Sequence, residues 1–373
     1  MRRRLPFFAL LIAALFVVVT ATPAAACGGL VAPDGAVRLD HTSTLAAYHN
    51  GIETYITSFE YNGGSTNFGS IIPLPAAPTS VTRAGSWTLQ RLEREVHPIP
   101  PTVFALGAAR SAAASGAQVI LQTTVDALDI TVLKGGAPDV IQWIKEHGYF
   151  VSNDAPAMLQ FYAARSPYFL AARFDAAKEA ALGQQEGDGT PIEVTMPTAS
   201  PWVPLHILTL AKTPEAIVTA DVFLLTDKSP ILLGIDPGVS VVASEPASGQ
   251  LLSDLRSDKN SSWVPSSAWL TYVSINAQAS NLNHDLAINP TGTGVPSAVE
   301  AGYLTPGTAP GRGVAAGLQP VTNPGGARPL SGVTGHGGVL DGTAALAVAA
   351  VFALLLVGLF AGWTALAAKR NRP

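Results

Sequence analysis

The sequence predicts an α+β protein: a largely antiparallel β-sheet head with a few short packed helices, carried on a disordered stalk and one C-terminal transmembrane helix. Three observations predict it. Short runs of strand-favouring residues alternate with period two between Gly, Pro and Asn turns, and two central stretches carry apolar stripes at helical spacing. The chain then turns Gly- and Pro-rich before a charge-free run, Thr343 to Ala368, long enough to cross a bilayer.

The N-terminus places Arg2, Arg3 and Arg4 before the apolar run "LPFFALLIAALFVVVTA" and the small triplet Ala24 to Ala26. A charged region, an apolar region and an A-x-A site make residues 1–26 a signal peptide cut after Ala26. Cys27, the single cysteine, then heads the mature chain. One thiol makes no internal disulfide, so the core alone must hold the head. Cys27 is a lipidation candidate, although Ala24 stands where that signal wants a bulky aliphatic residue.

Residues 27–133 form the β-rich first part. In "ETYITSFEY", Tyr55, Thr57, Phe59 and Tyr61 alternate with their neighbours, and Asn50-Gly51 just before is a strong hairpin signal. "NGGS" from Asn62 turns the chain into "FGSIIPLP", so three successive antiparallel strands are expected, the last ending at an edge because of Pro73 and Pro75. "SWTLQRLEREV" is a short surface helix with Ser86 as its cap and with Glu93 and Glu95 solvated, since residues two apart share no helix face. "AQVILQTTV" and "LDITVL" continue as strands, closed by Gly135 and Gly136.

Residues 134–182 form a helical segment. "APDVIQWIKEHGYF" sets Val140, Ile141, Trp143 and Ile144 on one stripe and places Gly148 at a left-handed C-terminal cap. "NDAPAMLQFYAAR" restarts with Asp154 as N-cap and Pro156 in the first turn, where proline loses no hydrogen bond. Residues 183–288 form the second β-rich part. "YFLAARFD", just before that part, and "PIEVTMP", "VPLHILTL" and "AIVTADVFLLT" within it carry β-rich patterns separated by turn residues, so a second sheet or an extension of the first is expected.

Residues 289–342 lose charges and aromatics and cannot bury enough apolar surface to fold. As a flexible linker, about fifty residues reach about 40 Å. Residues 343–368 form the transmembrane helix, with Trp363 toward its basic end, and 369–373 the tail, which the excess of Lys369, Arg370 and Arg372 keeps cytoplasmic. Gly358 and Gly362 form a G-x-x-x-G pair suited to helix pairing.

Of 22 Lys and Arg, six lie in the signal and tail, while all 26 Asp and Glu lie between, so the exported part carries about −10. That argues against nucleic acid as a partner. The chain carries no G-x-S-x-G, H-E-x-x-H or phosphate-loop pattern. The histidines are scattered. Asp40, His41 and His49 could meet across the first hairpin, yet surface histidines beside a turn are the simpler reading, so no metal and no cofactor are expected. "DKNSS" from Asp258 lacks the glycine and glutamate of a calcium loop and is read as a polar loop. Trp202, Trp263 and Trp269, all near prolines and turns, are the contact candidates, set against packing as their plainer role.

The "ACGG" start at Ala26, "FGSIIPLPAAP", "WIKEHGY", Tyr162, "SPYFLAARFD" and "WVPLHIL", taken in order, resemble a bacterial exported family catalogued as domain of unknown function 2330. The resemblance runs from Cys27 to about Leu233 and implies export and an envelope location, with no catalytic residue to transfer. Family members often carry a second cysteine soon after "CGG" and a basic residue where His206 stands; the chain lacks both, so neither a disulfide nor a basic-site role carries over.

The expectation is a single-pass cell-membrane protein with its N-terminal domain outside and its C-terminus cytoplasmic. Its head would be a non-enzymatic envelope binding or scaffolding module engaging another envelope protein or a wall component. The alternative is a cell-wall-directed hydrolase whose acid pair the sequence does not locate.

Overall fold

The computed structural model describes residues 29–31, 38–62, 67–85, 87–97, 118–175, 190–307 and 320–322, with Lys178 and Ala181. The signal peptide, Cys27, the apolar span 343–368 with Gly358 and Gly362, and Ser86 lie outside the described residues. Among the described residues no helix is long and apolar enough to cross a membrane.

Sixteen strands and four α-helices lie among the described residues. The largest sheet contains β2 (Arg38–His49), β3 (Ile52–Asn62), β5 (Ser80–Arg83), β9 (Ile192–Pro197), β11 (Ile217–Thr226), β13 (Val239–Pro246) and β14 (Trp269–Gln278). Their order is β13-β14-β11-β2-β3-β9-β5, antiparallel throughout except where β11 runs parallel to β2. A five-stranded antiparallel sheet contains β1 (Gly29–Val31), β4 (Asn67–Leu74), β6 (Gln118–Val125), β7 (Leu128–Lys134) and β8 (Tyr168–Asp175), in the order β1-β4-β8-β7-β6. A smaller sheet orders β10 (Trp202–Val203), β15 (Leu286–Asn289), β12 (Ile231–Leu233) and β16 (Val321–Thr322).

Asn50 and Gly51 do turn β2 into β3, with φ of 51° and 79°. The third strand is not part of that meander: β3 pairs with β9, while β4 crosses to the other sheet and pairs with β8. Local alternation fixes which face each side chain takes, but it does not choose the neighbour. Of the second sheet or extension expected of the late β-rich part, both occur: β9, β11, β13 and β14 extend the β2–β3 hairpin on its two sides, while β10, β12 and β15 build the small sheet with β16. "VPLHILTL" is not a long strand. Two residues pair as β10, and after Pro204 the chain enters a 3-10 turn at His206–Thr209.

β2 is buried on both faces because it is central. Leu45 and Ala47 face one apolar layer while Ala46 faces another. The inner layer is one continuous core joining Ala46, Tyr55, Val194 and Leu224 to Ile71, Ile130 and Leu170 of the five-stranded sheet. Helices α2 (Ala137–Glu146) and α3 (Ala155–Ala163) pack on it through Val140, Trp143, Leu159 and Tyr162. Gly148 takes the left-handed cap at φ 79°, and Pro156 sits in the first turn of α3. Asp154 occupies the N-cap position, but its carboxylate accepts from the Ala211 N–H at 2.9 Å instead.

The outer face of the large sheet is covered by α1 (Thr88–Val96) and α4 (Gly249–Ser257), whose Leu89, Leu92, Leu251, Leu252 and Leu255 pack on Leu45, Ile56, Phe223 and Tyr272. The start of α1 is capped from across the fold. Asp258 Oδ2 accepts from Trp87 N (3.0 Å), Thr88 N (2.7 Å) and Thr88 Oγ1 (2.8 Å), which satisfies orphan donors of the first turn. That approach requires Gly85, where a Cβ would lie 2.1 Å from the Asp258 carboxyl carbon. Asp258→Ala is expected to lower stability by about 2 kcal/mol in urea denaturation. A change under about 0.5 kcal/mol would show that water caps the helix equally well.

The expected flexible linker does not start at Asn289. Ala301 is fully buried, its carbonyl accepts from Asp285 N at 3.0 Å, Tyr303 stacks on His284, and β16 pairs with β12. Composition misses this because backbone groups and one aromatic stack hold the segment where an apolar side-chain run is absent.

Candidate functional site

The outer layer contains a polar cluster at the C-terminal end of α1. In the sheet beneath, Ser43 of β2 stands opposite Asp221 of β11, and Tyr272 of β14 stands opposite Phe223, two residues along the same face. Above them, Glu93 and His97 are four apart and so share one face of the helix end. Asp221 and Ser43 are buried, Glu93 is half-buried and His97 is exposed. The cluster therefore has a buried floor and one open side.

The Tyr272 hydroxyl donates to Asp221 Oδ1 at 2.6 Å and lies 3.0 Å from His97 Nε2. Its single proton goes to Asp221, so the His97 Nε2–H donates to the tyrosine oxygen. Ser43 Oγ donates to Glu93 Oε1. Tyr272 stacks on Phe223 and meets the His97 ring edge-on. Burial first, then the bond to Asp221, push the Tyr272 hydroxyl well above its ordinary range, so it serves as a fixed donor and not as a nucleophile. One ligand atom each from Glu93, His97 and Asp221 lies within 4.8 Å of the others. Two carboxylates and an imidazole so arranged can hold a cation or pass a proton.

Glu93 is thus not simply solvated. The Glu93/His97 spacing was visible in the sequence, but the partner, Asp221, is far along the chain. Pairing Glu93 with Glu95 pointed away from it; Glu95 instead pairs with Arg91 at 2.6 Å.

The three tryptophans are not gathered together. Trp202 is 2 % exposed, its ring stacked against Tyr162 and under the Arg165 guanidinium, so it offers nothing to an outside partner. Trp263 is half-buried against the outer layer, and its indole N–H donates to Glu193 at 3.0 Å. Burial raises the Glu193 carboxyl and that bond partly opposes the rise. Trp269, at the start of β14, donates to Ser244 at 2.8 Å.

Asp40, His41 and His49 do not meet across the hairpin, because all three lie on β2; eight residues of strand separate the two histidines by about 26 Å. His49 pairs with Asp227 at 2.5 Å and His284 with Asp236 at 2.8 Å. His147 stacks on Trp143.

A second polar network is sealed inside. Arg165 pairs with Asp285 at 2.5 Å, the two side chains 3 % and 0 % exposed. Asp285 also accepts from Tyr162 Oη (2.8 Å) and His206 N (2.9 Å), and Arg165 donates to the Glu300 carbonyl. Burial holds the Tyr162 hydroxyl far above its ordinary range. With no solvent access this network is a structural clasp.

The family model for DUF2330, described as an uncharacterized protein conserved in bacteria, matches residues 21–228. No curated protein matches the chain. Among solved structures, that of baculovirus P35 is similar over 70 % of this chain and 99 % of that chain, at 11 % identity and a TM-score of 0.41.

Proposed function

The chain belongs to this bacterial family of uncharacterised proteins, and from that premise we propose that it is a membrane-anchored cell-surface protein whose head is a non-enzymatic binding or scaffolding module. The anchoring reading rests on the signal-like start, the charge-free run 343–368 and its basic tail. The orientation follows the positive-inside rule, with the head outside.

The binding reading is carried by Trp263. Its ring is only half-buried, and Glu193 fixes its orientation, so an aromatic surface is held ready without an ordering penalty at the moment of contact. A partner would be another envelope protein or a wall component. Proximity crosslinking in the native host, with the probe beside Trp263, is expected to enrich one envelope protein, and Trp263→Ala to abolish the enrichment. Capture of nothing above a stalk-only control would defeat the reading.

One observation favours the alternative of a wall-directed hydrolase. Glu93 and Asp221 bring carboxylate oxygens within 4.8 Å, near the separation of retaining glycosidases. Release of soluble fragments from purified wall material by the wild-type protein, but not by Asp221→Asn, would move the function to that cluster.

A further inference from the structure

We propose that Glu93, His97 and Asp221 form a site for a divalent zinc-type cation on the outer face of the large sheet. The inference concerns a different place from the Trp263 surface and stands or falls without it.

The donor set selects the ion. One imidazole nitrogen and two carboxylate oxygens suit zinc and its neighbours, with a fourth position left for water. Calcium wants six to eight oxygens and magnesium an octahedral oxygen shell, and three ligands including a nitrogen supply neither. The three ligand atoms lie within 4.8 Å of one another. Zinc at its usual bond lengths wants them about 3.4 Å apart, a contraction of at most about 1.4 Å. The side chains able to make it are the half-buried Glu93 and the exposed His97, on the last turn of α1, while Asp221 stays fixed in the sheet.

The surrounding donors fit the same role. Ser43 donates to Glu93 and Tyr272 donates to Asp221, so each acidic ligand is oriented by a hydroxyl from a neighbouring strand. Metal sites are built in this way, with outer hydrogen bonds that aim the ligands. On loading, the neutral His97 imidazole changes tautomer, its proton passing through water from Nε2 to Nδ1, and the freed Nε2 exchanges its 3.0 Å contact with the Tyr272 hydroxyl for the ion, while Tyr272 keeps its bond to Asp221. The cation also offsets the proximity of two carboxylates. The exposed His97 side leaves an entry path and an open coordination position.

The test is calorimetric titration of the untagged full-length chain, in detergent and stripped by a chelator, with zinc chloride. One equivalent is expected to bind with a Kd below about 10 µM, and His97→Ala and Glu93→Gln are each expected to weaken it about tenfold or more. His147→Ala, on a histidine stacked against Trp143, serves as the control and leaves binding unchanged. Millimolar magnesium or calcium does not compete. The proposal is overturned if no stoichiometric binding occurs, if His97→Ala binds like wild type, or if magnesium displaces zinc. His97 is exposed and Glu93 half-buried at the end of α1, so circular dichroism of both variants separates loss of ligands, with the wild-type spectrum kept, from loss of the fold.

Discussion

Stability of the wild-type protein is expected to fall by on the order of 5 kcal/mol between pH 4.5 and pH 8 relative to Glu53→Gln, which removes the titration. Glu53 is fully buried on β3, between Tyr48 of β2 and Met196 of β9, and neither carboxyl oxygen has a hydrogen-bond partner. Burial alone raises its carboxyl to about 8. The folded protein therefore keeps a proton that the unfolded chain releases above its ordinary carboxyl range, near 4.5. Between those limits the unfolded state binds fewer protons, so rising pH favours unfolding; above pH 8 both states are ionised and the slope vanishes. Other groups titrate as well, Glu193 in the same direction, and the difference between wild type and variant isolates Glu53. Urea midpoints at pH 5, 7 and 9 are the measurement. Parallel curves would mean that the folded state carries Glu53 ionised and paired.

Arg165→Met is expected to cost about 3 to 5 kcal/mol, since it leaves a fully buried carboxylate without its counter-charge. Tyr162 and the His206 N–H still point at Asp285, but neither supplies a charge. The guanidinium also stacks on Phe161, Tyr162 and Trp202, so a methionine that fills the space retains part of the packing and isolates the electrostatic part of the loss. The second readout is local. Arg165 holds the Glu300 carbonyl, so amides of Ala301 and Gly302 should lose protection from hydrogen exchange beyond the global change. A loss under 1 kcal/mol with unchanged exchange would show the clasp to be dispensable.

What the sequence made legible was local. The Asn50-Gly51 turn, the Gly148 cap and the first-turn Pro156 each depend on one or two residues whose own stereochemistry decides the backbone. Pairing partners were not legible, because period two tells which face a side chain takes and nothing about which strand lies alongside. β4 left the expected meander for that reason. Asp258 as the cap of α1 and Asp285 as the acceptor for Arg165 are contacts across more than a hundred residues. Two of the five members of the polar cluster could be read, since Glu93 and His97 share a helix face by spacing alone. Asp221, Ser43 and Tyr272 come to it only through the β2–β11–β14 register.

The parallel seam between β2 and β11 also has a kinetic consequence. It joins Ser43 to Asp221, positions about 180 residues apart, and every other strand of the large sheet hangs from one side of it or the other. A chain made from its N-terminus completes the β2–β3 hairpin early, with the β11 edge of β2 still open. Loop closure over that length carries its entropic penalty before any seam contact offsets it, which makes folding slow and leaves an apolar edge available to the wrong neighbour. The yield of folded chain is therefore expected to depend on how quickly the later strands arrive, and a holdase that shields β2 during that interval is expected to raise it without altering the final stability.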